Sequence, residues 1–81
     1  MNSAEIEIKM HGPTGLVMAV SKDLPGFVVH AHSMEEMRAK IADSFTDFMA
    51  MAHKTAVQDV TVTELNQWMP VHARADYRKA A

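Results

Sequence analysis

The chain lacks cysteine altogether, so neither a disulfide nor a thiolate metal site can stabilise its 81 residues. Glycine and proline number three each, and no stretch reads as a linker, a repeat or a low-complexity segment. Positive charge is not in excess. A net charge of −2 gives no basis for whole-protein attraction to nucleic acid, so direct nucleic-acid binding is not expected. No apolar run approaches the roughly 20 residues that span a bilayer. The opening residues, Met1 to Glu5, have neither the basic start nor the hydrophobic core of a secretory signal. With no cysteine and no such signal, a cytoplasmic setting is expected. Also missing are the Gly-x-x-x-x-Gly-Lys phosphate loop and the Gly-x-Ser-x-Gly nucleophile elbow, so no cofactor is expected.

What the chain does have is apolar material. Hydrophobic residues make up 48% of it, enough for a core. One compact domain is the natural reading of this length. So short a chain buries only roughly 60% of its unfolded surface, and small domains of this kind gain stability by associating. A homo-oligomer, dimer or higher, is therefore expected.

Ile6, Ile8 and Met10 alternate with Glu5, Glu7 and Lys9, the period-two pattern of a strand with one wet face. Gly12-Pro13-Thr14-Gly15 supplies a turn, and Leu16–Ser21 forms a second strand, apolar on both sides. The short link predicts an antiparallel hairpin. Leu24-Pro25-Gly26 follows. Proline fixes φ and glycine accepts positive φ, which suits a type II turn. Phe27–His32 reads as a third strand, with Phe27, Val29 and Ala31 on one face and Val28, His30 and His32 on the other.

Ser33-Met34-Glu35-Glu36 matches a capping box, with Ser33 at the cap and Glu36 three residues on. The helix it opens should run from Met34 to about Ala52. Met37, Ile41, Phe45, Phe48 and Ala52 make one face, with Met34 and Met49 beside it. Residues 56–65 return to strand character through Val60, Val62 and their threonines. Beyond Asn66 the pattern fades, and residues 73–81 read as a short helical end or a mobile tail. The fold class is α+β: a two-layer β-β-β-α-β sandwich, its four-stranded sheet covered by one main helix.

The strand Val17–Val20, the turn Asp23-Leu24-Pro25-Gly26, the strand Phe27–Ala31, the Ser33 cap, Glu35, Glu36 and the helix behind them resemble the HicB-like antitoxin domain in order and spacing. The resemblance covers about residues 4–65, leaving 66–81 as a C-terminal tail, a short helix or an interface arm. It implies a partial RNase H-type or ferredoxin-like fragment that binds and neutralises a small RNA-cleaving toxin of the HicA type. Many members append a DNA-binding module; the residues after Leu65 show no such pattern.

Candidate chemistry is thin. His30 and His32, two apart on a strand, could share a metal with His11, His53 or His72, but no third ligand stands at a recognisable spacing. They are read as polar residues of the open sheet face. Glu35 and Glu36 are explained by the helix start and Asp23 by the turn, while Asp43 and Asp47 lie on a wet helix face. No catalytic or metal-binding residues are assigned, and no enzyme is expected. The methionines read mainly as core. Trp68 has two open readings, an interface anchor or a cover folded back on the helix.

The function expected is binding without chemistry. Partner contacts are assigned to Asp23, Pro25, Val28, His30, His32, Trp68, Arg74 and Arg78; Pro25, Gly26, Ser33 and Glu36 are structural. An RNA-cleaving toxin is the first candidate partner. A phage or mobile-element inhibitor of a host nuclease complex on the same scaffold is the alternative, and a metal-dependent enzyme a third. Self-association is expected through a sheet edge.

Overall fold

In the computed structural model, which describes residues 1–80, the alternation of the first segment becomes β1 (Asn2–Met10), with Ala4, Ile6 and Ile8 buried and Ser3, Glu5 and Lys9 exposed. β2 (Val17–Val20) and β3 (Val28–Ala31) follow, then α1 (Met34–Ala52), β4 (Val57–Glu64) and β5 (Val71–Lys79). All neighbouring strands are antiparallel, in the order β3-β2-β1-β5-β4. The fold class is α+β, with a single helix on one face of the sheet.

The sheet has five strands where four were expected. Residues 71–79, read from sequence as part of a tail, form β5 and lie between β1 and β4. Val71, Ala73, Ala75 and Tyr77 point into the core, and His72, Arg74 and Arg78 point away. Alanines at two of those inward positions hid the strand, because alanine favours helix when packing is not known.

The first turn closes through the His11 N–H to the Leu16 carbonyl at 2.8 Å, with Gly15 at φ +70. In the second, the Phe27 N–H donates to the Leu24 carbonyl at 3.0 Å and Gly26 takes φ +90. That is the type II geometry, with Pro25 at its second position and Gly26 at its third. The bend buries Leu24 and Phe27.

The Glu36 N–H donates to Ser33 Oγ at 3.0 Å, and Glu36 Oε2 accepts from the His32 N–H at 2.9 Å. The reciprocal bond of the capping box thus reaches one residue before the cap. Met37, Ile41, Phe45 and Met49 are buried along the helix, and Phe48 is half-buried. Met49 takes the place expected of Ala52, which is exposed, because the helix meets the sheet on an i, i+4 line. The helix ends as Lys54 turns left-handed and the Thr55 N–H reaches the Met49 carbonyl at 3.0 Å.

Phe45, with 0% exposure, joins the two halves of the core. Its ring meets Phe27 edge-on at 6.0 Å and Tyr77 at 5.1 Å, favourable aromatic geometries. An Arg38–Glu64 fork, Nε to Oε2 at 2.6 Å and Nη2 to Oε1 at 2.9 Å, ties α1 to the end of β4. No helix among the described residues is long and apolar enough to cross a membrane.

Candidate functional site: the open face of the sheet

A strand alternates its side chains, so burying one sheet face under α1 turns every second residue to the other. β1 contributes Ser3, Glu5, Glu7 and Lys9 to that open face, and β5 contributes His72, Arg74, Asp76 and Arg78. Met18 and Val20 come from β2, Val28 and His30 from β3. Thr61 and Thr63 come from β4, with Leu65 just beyond it.

The register sorts these residues into rows. Leu65, His72, Glu7, Val20 and Val28 form one row across β5, β1, β2 and β3, with Leu65 just past the end of β4, linked by the Leu65 N–H to His72 carbonyl bond of 2.7 Å and the pairs Glu7–His72, Glu7–Val20 and Val20–Val28. A neighbouring row holds Lys9, Met18 and His30. On the other side lie Glu5, Arg74 and Thr63, then Ser3, Asp76 and Thr61. The β2–β3 side is therefore largely apolar, and the β1–β5 side is charged.

Charges on the polar side are paired. Lys22 Nζ lies 2.7 Å from Glu5, whose hydrogen bond and charge raise the lysine's pKa. Asp76 accepts from Ser3 Oγ at 2.7 Å and from Arg74 Nε at 3.1 Å. The serine hydroxyl first, and then Arg74, hold its carboxyl below the usual range. Arg78 faces Asp59 at 3.8 Å.

A shallow basin of about 460 Å³ opens between the two sides, lined by Glu5, Glu7, Val20, Lys22, Leu65 and His72 with the backbone region of Ile6 and Ala73. Leu65 is 59% exposed and Val28 50%, at the two ends of one row. Trp68 is 72% exposed. Its loop is held by Asn66, whose Nδ2 donates to the Trp68 and Pro70 carbonyls while its Oδ1 accepts from the His72 N–H at 2.6 Å. The tryptophan does not fold back on the helix. It stands on a braced loop.

The residues expected to meet a partner fall into four places. Val28, His30, Arg74 and Arg78 share the open face; the two arginines, expected on a tail, sit on a sheet strand instead. Trp68 stands on the β4–β5 loop. Asp23 and Pro25 belong to the β2–β3 turn, where the Asp23 carboxylate accepts from the Glu5 N–H at 2.7 Å. That carboxylate extends the sheet bonding of β1 beyond the last residue of β2. His32 is not on the strand with His30: β3 stops at Ala31, and the His32 ring lies 3.2 Å from Glu36 at the helix start.

Among the described residues, no three histidine, aspartate or glutamate side chains gather as a metal-binding group. His11 and His30 line a smaller hollow of about 230 Å³ with Thr14, Leu16 and Met18. Glu5, Glu7, His72 and Leu65 belong to the open face yet were not assigned to partner contact from sequence, His72 being weighed there only as a metal ligand. The alternation of β1 pointed to the two glutamates, whereas His72 and Leu65 required the position of β5. Comparison of the chain with protein-family models, curated proteins and solved structures finds no match.

Proposed function

We propose that this chain is a binding protein of the HicB-like antitoxin type, which sequesters a protein partner on its open sheet face and performs no chemistry of its own. The supporting observation is the one-sided cover of the sheet: α1 buries one face, while the other presents exposed Leu65 and Val28 at opposite ends of one row, with an acidic basin between. Protein interfaces combine exposed apolar side chains with satisfied polar groups, and this face offers both. Trp68, held at the same end of the sheet by Asn66, is suited to anchor the rim.

An RNA-cleaving HicA-type toxin is the partner we favour, on the resemblance of about residues 4–65 to the antitoxin domain. RNA-binding surfaces are basic, and Glu5 and Glu7 offer carboxylates to a partner cation that displaces Lys22 or Lys9. Inhibition is then steric: the sheet covers the surface on which RNA would lie.

The test is affinity capture from the native host with mass spectrometry, the wild-type chain against a Val28→Asp/Leu65→Asp double variant. Both sites are exposed, so the variant should keep its fold. Recovery of a HicA-type protein by the wild type and its loss from the variant supports the proposal. Capture of a larger nuclease assembly instead replaces it with the nuclease-inhibitor reading, and equal capture by both proteins removes the open face as the site.

A further inference from the structure

We infer that the free edge of β4 pairs with the same edge of a second copy, antiparallel and centred on Val62, joining two five-stranded sheets into one. The direction of the backbone groups sets this register. The Leu65 N–H points inward to β5, meeting the His72 carbonyl at 2.7 Å. In an antiparallel ladder bonded pairs recur at every second residue, so Thr63 with Arg74 and Thr61 with Asp76 also bond inward. The N–H and carbonyl groups of Val62 and Glu64 therefore point outward, to an edge that no strand covers.

A two-fold axis at Val62 makes this edge complementary to itself. Each Val62 exchanges both bonds with its copy, and Val60 lies opposite Glu64. On the open face Thr61 falls opposite Thr63, a favourable cross-strand pair. No like charges meet: Glu64 faces valine, and its carboxylate is already held by the Arg38 fork. Val60 and Val62, half-buried at the margin of the core, gain cover on the helix side.

Edge strands left single usually carry lysine, proline or an interruption that blocks pairing. β4 has an interruption only at its start, where Asp59 at φ +54 and Val60 together oppose Tyr77. Residues 61–63, Thr-Val-Thr, carry none of these devices, and the charge of Glu64 after them is held by Arg38. The other edge, β3, is four residues long. The two open faces would lie on the same side of the joined sheet, so the assembly would offer two copies of the binding face side by side. This pairing stands whatever the open face binds.

The experiment is the molar mass of the full chain in solution, with amide hydrogen exchange. The wild type should be a dimer, with Val62 and Glu64 amides protected and their protection rising with protein concentration. Thr61→Lys/Thr63→Lys places lysines opposite one another across the axis and should halve the mass. Thr61→Lys/Thr63→Glu places lysine opposite glutamate and should restore the dimer. Both threonines are exposed, so melting curves of the variants should match the wild type. A monomer up to the solubility limit overturns the inference. So does a dimer that survives the double lysine, or one whose Val62 amide exchanges as fast as a free edge.

Discussion

Three carboxylates are held below their usual range by specific donors. Glu36 is lowered by the His32 backbone N–H, Glu64 by the Arg38 fork, and Asp76 by the Ser3 hydroxyl ahead of Arg74. In the unfolded chain all three return to ordinary values near about 4. Below that point the unfolded state binds more protons than the folded state, so stability falls with pH. The contribution is complete above the ordinary carboxylate value and is lost as pH falls through the lower folded values. Glu64 accepts two bonds from one guanidinium, so its fork should be the strongest of the three. Glu64→Gln should melt lower than the wild type at pH 7, and the gap should narrow as the pH falls below the ordinary carboxylate value. A gap that stays constant across that range would show that the fork acts through packing rather than charge. The residue scale was partly legible: Ser33 and Glu36 announced a helix start by spacing alone. The Arg38–Glu64 fork was not, because its partners are separated by 26 positions and meet only once α1 lies over β4.

At the scale of elements, local pattern sufficed for β1, α1 and the Pro25–Gly26 turn. Each is written in neighbouring residues: alternation, a capping serine with an i, i+4 apolar line, a proline before a glycine. β5 was not legible in the same way. Its inward side chains include Ala73 and Ala75, almost without exposed surface, because the strand lies between β1 and β4 under the helix side of the sheet. Small residues at a crowded centre carry no propensity signal for strand. The error has a measurable consequence, because a chain ending at Leu65 would have contained every element then recognised. In the structure that fragment loses the strand pairing both β1 and β4, and with it the ring of Tyr77 against Phe45. A 1–65 fragment should therefore show no cooperative thermal transition, whereas the full chain melts in one step. A cooperative melt of the fragment would mean that β1, β2, β3 and α1 form a core by themselves.

For the molecule as a whole, β1 is the shared spine of two sub-sheets. Residues Asn2–Ile8 pair with β5, and Glu7–Met10 pair with β2, so only Glu7 and Ile8 are flanked by strands on both sides. The offset draws the molecule out to 42 × 23 × 21 Å. Where β2 ends, side chains continue the ladder: Ser21 Oγ donates to the Glu5 carbonyl, and the Glu5 N–H donates to Asp23. The Asp23 N–H in turn donates to Ser21 Oγ at 3.2 Å. The acidic basin lies on this junction, with Glu5 and Lys22 among its lining residues. Asp23, assigned from sequence to partner contact, thus also clasps the two halves. Asp23→Ala should cost about 1 kcal/mol, the usual net worth of one such bond. The more telling readout is local, since sub-sheets can open separately below the global unfolding free energy. Hydrogen exchange should quicken at Glu5 and along β2 and β3, while the β4–β5 ladder keeps its protection. Uniform quickening across all five strands would show that the two sub-sheets unfold as one unit and that the clasp is only another bond in it.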